Sequence, residues 1–305
     1  METLNKTTTK NIFIKYPITT YYLLTFLISW GGLIVIMGGT DRITSNPTTA
    51  PFISIYLVTV GGPIIAGVLL TGLFKGKEGY QELISRFFKW RVPLKWYAVA
   101  LLIAPLTVFA TLLTLSLFAP VFMPGIFSSG NIPVASIFGL PGSDKITLML
   151  FVLMLGFVNG FIEELGWTGF ATHWLKLNHN LILIGTSVGV LWGLWHLPSN
   201  YIGSAAGAGT VPLALYISLL LFTFLPPYRI LMMWVYKHTG SLFIAVLMHA
   251  SLDIFWILST PLLLTGKERV IWYALWAVVL WSIVAIICLF NNKKGYKKLF
   301  MEANN

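Results

Sequence analysis

The stretch FIEELGWTGF, residues 161–170, sets Glu163 and Glu164 side by side in a run that otherwise reads as an apolar helix. Two histidines, His196 and His249, stand in further apolar runs. Asp253 follows His249 by four residues, which places both on one face of a helix. A carboxylate and neutral imidazoles in a low-dielectric cavity can take a proton from water, and further donors can stabilise the oxyanion of a peptide tetrahedral intermediate. That chemistry is hydrolysis. The same atoms with an open position also make a Zn²⁺ site, formed by His196, His249, Asp253 and Glu163, which would lower the pKa of bound water toward about 7. Nucleophilic catalysis fits less well. Cys288, the single cysteine, lies in the last apolar run, and no serine sits in a nucleophile-elbow pattern.

The elements that must hold these groups follow from composition. The 305 residues are 57% hydrophobic and 10% charged, with mean hydropathy +0.81, against roughly 25% charged in soluble domains. The chain is expected to be an all-α polytopic membrane protein. Runs long enough to span a hydrocarbon core, about 17 to 25 residues, occur near 17–39, 51–74, 97–120, 146–170, 180–198, 212–236, 240–263 and 270–290. They predict about eight transmembrane helices in a single domain over 1–305. The first run lacks a small-residue cleavage site and is expected to remain as the first helix. One cysteine allows no disulfide framework and leaves the redox compartment unread.

The net charge of +10 does not point to nucleic acid, because the cations flank the apolar runs. With the N-terminus assigned to the cytoplasm, 16 of the 20 Lys and Arg fall on that side, Arg229 and Lys237 among them. Only Arg42, Lys145, Lys267 and Arg269 fall opposite. The split predicts both termini inside a cell membrane. Residues 79–97 carry Leu83, Ile84, Phe87 and Phe88 at helical spacing beside Arg86, Lys89 and Arg91, the pattern of a helix in the cytoplasmic interface. Residues 121–145, rich in Gly, Pro and Ser, read as an external connection.

Of the ten acidic residues, only Glu163, Glu164 and Asp253 fall within spans, and of five histidines only His196 and His249. An acid at the centre of a spanning helix costs about 2.5 to 3.5 kcal/mol on insertion scales, so such groups face protein or water and mark function. If the fourth and fifth spans turn near Asn178, Glu163 and His196 lie about 22 and 27 Å from the turn, nearly level. Gly156 and Gly160, and Gly185, Gly189 and Gly193, repeat a small-xxx-small spacing that lets helices approach closely.

EELGWTGF at 163–170, WGLWHLP at 192–198 and HASLDIF at 249–255 resemble, in order, the EExxxR, FxxxH and HxxxN motifs of the CAAX prenyl endopeptidase and bacteriocin-processing (CPBP) family of intramembrane proteases. The similarity covers roughly residues 80–260. It implies an endopeptidase acting on a peptide or protein substrate at the lipid bilayer. Glu163 would activate water with the help of His196, Glu164 would be the second glutamate, and His249 would serve the oxyanion or a metal. Metal-dependent and metal-free mechanisms have both been proposed within the family. Three positions depart from the pattern. Thr168 stands where the family has arginine, losing a cation beside Glu164. Trp192 replaces phenylalanine, an aromatic exchange expected to matter little. Asp253 replaces asparagine, whose amide could donate to an oxyanion as an ionised carboxylate cannot. A proton- or cation-coupled transporter is the alternative for the same polar groups, and a catalytically inactive immunity or scaffold homologue is the alternative for which Thr168 speaks.

Overall fold

The computed structural model describes residues 13–44, 51–127, 144–175, 180–202, 211–261 and 263–302. The turn expected near Asn178 and residues 128–143 of the expected external connection lie outside them. Among the described residues seven helices are long and apolar enough to cross a membrane: α1 (Pro17–Met37), α2 (Phe52–Phe87), α3 (Leu94–Ser116), α4 (Lys145–Gly166, continued by a π-helical turn Trp167–Thr172), α5 (Leu181–Tyr201), α8 (Leu242–Ser259) and α9 (Gly266–Glu302, apolar to Phe290). The run 212–236, expected as one span, is instead two helices. These are α6 (Leu213–Phe222) and α7 (Leu225–Thr239). Pro226 and Pro227 open α7, where a missing N–H costs nothing, whereas inside a continuous helix the same pair would break the ladder.

The interfacial helix is also redrawn. It is the continuation of α2 beyond a break at Gly76 (φ 57°, ψ −142°), a backbone state only glycine adopts freely, and it ends at Phe87. Its polar side is tied to the end of α4. Glu82 pairs at 2.8 Å with both Lys75 and His173. Asp144 caps α4, accepting from Ile146 N and Thr147 N at 3.1 Å. The Thr147 hydroxyl and these backbone donors hold its carboxyl below the usual range.

Helix α8 is the most enclosed of the spans and lies against α3 and α4. The glycines explain how closely. A Cβ at Gly160 would stand 2.8 Å from the Val246 carbonyl oxygen and 3.3 Å from His249 Cβ, so α4 and α8 touch backbone to side chain beside the polar residues. Gly185 and Gly189 likewise seat α5 on Ile230 and Pro226 of α7. At the other side of α4, Gly67 and Gly166 bring α2 against the glutamates, and a Cβ at Gly166 would lie 2.3 Å from the Pro63 carbonyl oxygen and 2.5 Å from the Tyr21 hydroxyl. Gly166→Ala is expected to cost about 1 to 3 kcal/mol by overpacking, read as a lowered thermal midpoint in detergent.

Candidate active site

Glu163 and Glu164 sit on the last turn of α4 with side chains 1% and 0% exposed. Being adjacent on a helix, they point to different neighbours. Glu163 Oε2 accepts from the indole N–H of Trp167, one turn on, at 3.2 Å, and from that of Trp192 on α5 at 3.1 Å. Its Oε1 takes part in neither bond. Glu164 turns toward α7 and α8. Its Oε1 accepts from His249 Nδ1 at 2.8 Å and from Arg229 at 2.8 Å, and its Oε2 accepts from the Thr168 hydroxyl.

His249 is thereby oriented. Because a carboxylate paired with a guanidinium only accepts, Nδ1 is the donating nitrogen and Nε2 faces the other acids. It lies 3.9 Å from Glu163 Oε2 and 3.7 Å from Asp253 Oδ2. Asp253, 20% exposed, accepts from the Asn159 amide at 2.5 Å, and Asn159 accepts from the Tyr56 hydroxyl at 3.2 Å. Asn159 precedes Glu163 by four residues, on the same face of α4.

The five expected residues are brought together unequally. Glu163, Glu164, His249 and Asp253 form one contact network across α4 and α8. His196 is half-buried and, among the described residues, its imidazole makes no hydrogen bond to any of the four. It reaches the site through Trp192, whose ring centroid is 6.0 Å from its own, and through a cavity of about 300 Å³ that it lines with Trp192, Asp253, Phe224 and Trp256. The cavity wall is mostly apolar, with Asn200 and Ser199 at its polar end, both bonded to the His196 carbonyl.

Three features escape the sequence reading. Trp192 is more than an aromatic exchange, since phenylalanine has no N–H to give Glu163. Asn159 was passed over because it carries no charge. Arg229, assigned to a cytoplasmic flank, is 0% exposed and lies against Glu164. Its position inside the run 212–236 was the available signal, because a cation within a span is rare and pairs with something. Trp192→Phe removes one donor to a buried carboxylate, worth about 1.5 to 3 kcal/mol. The loss is expected to appear as a lowered thermal midpoint in detergent, and a midpoint equal to the parent's refutes the bond's contribution.

As a donor set for Zn²⁺, these side chains fit poorly. The oxygens nearest His249 Nε2, Glu163 Oε2 and Asp253 Oδ2, already accept N–H donors, and among the described residues no three His, Cys, Asp or Glu side chains are arranged as ligands. The geometry suits proton transfer at a carboxylate bonded to Trp192, which lines the cavity with His196 and Asp253.

Residues 145–255, which contain every one of these groups except Tyr56 and Trp256, match the family model described as Type II CAAX prenyl endopeptidase Rce1-like. Over 287 residues the chain is 24% identical to CAAX prenyl protease 2 of Methanococcus maripaludis, covering 93% of this chain and 98% of that protein.

Proposed function

We propose that this multi-pass membrane protease, with its Rce1-like region at residues 145–255, hydrolyses a peptide bond near the membrane using a water activated by Glu163 and His196. The observation that carries the reading is the state of Glu163. One oxygen is pinned by two indole N–H groups while the other has no part in those bonds, and one of the indoles, Trp192, lines a cavity with His196 and Asp253. In the step itself, Glu163 takes a proton as the water oxygen attacks the scissile carbonyl carbon. The carbonyl electrons move onto its oxygen, and on collapse the C–N bond breaks as the proton passes to the leaving amine. His196 holds the water in the cavity. His249, fixed through Nδ1 by Glu164, stands at the reacting carbonyl, and Asn159 keeps Asp253 turned toward it.

The step is written without a metal, because the oxygens nearest His249 Nε2 already accept N–H donors. The first substrates to offer are peptides ending in a prenylated CaaX sequence, as the name of the archaeal relative suggests, and the second are bacteriocin leader peptides. The chain is read as residing in the cell membrane with both termini cytoplasmic. Cleavage by purified protein, with Glu163→Ala and His196→Ala alongside, tests the assignment, and unchanged cleavage in both variants overturns it. Chelation tests the metal-free step. Activity lost to a chelator and restored by Zn²⁺ alone overturns that step, and activity retained after dialysis supports it.

A further inference from the structure

The motif resemblance leaves a vacancy at Thr168, where an arginine four residues after Glu164 would lie along the same helix face. In space the vacancy is filled. The Arg229 guanidinium gives one nitrogen to both Glu164 oxygens, at 2.8 and 3.0 Å, and the other to the hydroxyls of Thr168 and Thr172, at 3.1 and 3.3 Å. Its carbon lies 5.9 Å from the centroid of the Trp192 ring, the ring whose N–H holds Glu163. Thr168 is part of the arrangement, donating to Glu164 while accepting from Arg229. A side chain as long as arginine at 168 would compete for the volume that Arg229 occupies. The π-helical turn Trp167–Thr172 presents both threonine hydroxyls to the guanidinium.

We infer that Arg229 is the positioning residue of this site, a cation moved from the glutamate helix to α7 with Thr168 and Thr172 shaped to receive it. This inference rests on the protease reading for its kinetic meaning, and on the ion pair alone for its structural meaning. Arg229 acts through Glu164, and Glu164 through His249 Nδ1, so one line of contacts joins α7, α4 and α8. Its loss disturbs the orientation of His249 more than the binding of a substrate.

The test is a relocation series, in detergent-purified protein, of Arg229→Ala, Arg229→Lys and Arg229→Ala combined with Thr168→Arg. With a cleavable peptide, Arg229→Ala lowers kcat about 100-fold, the scale of a misplaced catalytic group, with KM within about threefold. Arg229→Lys is intermediate, because an ammonium cannot span the carboxylate and both hydroxyls. The combined variant returns to within about tenfold of the parent, because the cation is restored from the other helix. A folded Arg229→Ala with parental kcat overturns the inference, as does a combined variant no more active than Arg229→Ala. If Arg229→Ala does not fold, a combined variant that folds and cleaves supports the inference, and one that also fails to fold overturns it. If the parent cleaves none of the peptides offered, the protease reading is what fails. The thermal midpoints still decide the pairing, with recovery in the combined variant supporting it and no recovery overturning it.

Discussion

Glu163→Gln is expected to lower kcat by about 10²- to 10⁴-fold, the span contributed by a positioned general base. The substitution keeps the side chain's length, and its amide oxygen still accepts from Trp167 and Trp192, whose N–H groups lie 3.2 and 3.1 Å from Oε2. What it removes is the capacity to take a proton from water. KM and the thermal midpoint should therefore stay close to the parent, and single-turnover cleavage measured beside substrate binding separates the two effects. A Glu163→Gln protein that turns over at the parental rate would transfer the base to another group, Asp253 being the acid that lines the cavity.

The second large effect falls on stability. Glu164→Ala leaves the Arg229 guanidinium 0% exposed with its counter-charge gone, and leaves His249 Nδ1 without its acceptor. Breaking a buried pair from one side costs about 3 to 5 kcal/mol, because the remaining charge keeps its desolvation penalty. The thermal midpoint in detergent should fall steeply, and further than for Gly166→Ala. Removing both partners, Glu164→Leu with Arg229→Met, is expected to recover most of the stability while leaving the protein inactive. Equal midpoints for Glu164→Ala and the parent would refute the pair's structural part.

How much of this was legible in the sequence can be argued from particular residues. Glu163, Glu164, His249 and Asp253 were found because ionisable groups in apolar runs are expensive, and four of them do meet. The close approach of α4 to α8 was legible in Gly156 and Gly160, which stand where a side chain would collide with α8. The departures have physical causes. Hydropathy sums over the run 212–236 and so merges α6 with α7, although Pro226 and Pro227 announced a start. The basic stretch 79–97 reads as a separate interfacial helix, yet α2 carries on past a single glycine and ends at Phe87. Arg229 lies close to a flank by hydropathy and so reads as one of the flanking cations, and Asn159, being neutral, carries no burial cost that stands out in an apolar run. The arginine absent at 168 and the one present at 229 belong to a single pairing with Glu164, which only the folded arrangement brings together.

Helix α7 has 15 residues, about 22 Å of helix against a hydrocarbon core near 30 Å, and nearly all of its side chains are buried in protein. The ribosome delivers Glu164 65 residues before Arg229, so during synthesis the acid enters the bilayer first and waits. A nascent chain that stops short of residue 229 carries an unmatched carboxylate on α4. When α7 emerges, its guanidinium finds that partner already in place. The order of the two charges along the chain thus makes the older helix the template for seating the younger one.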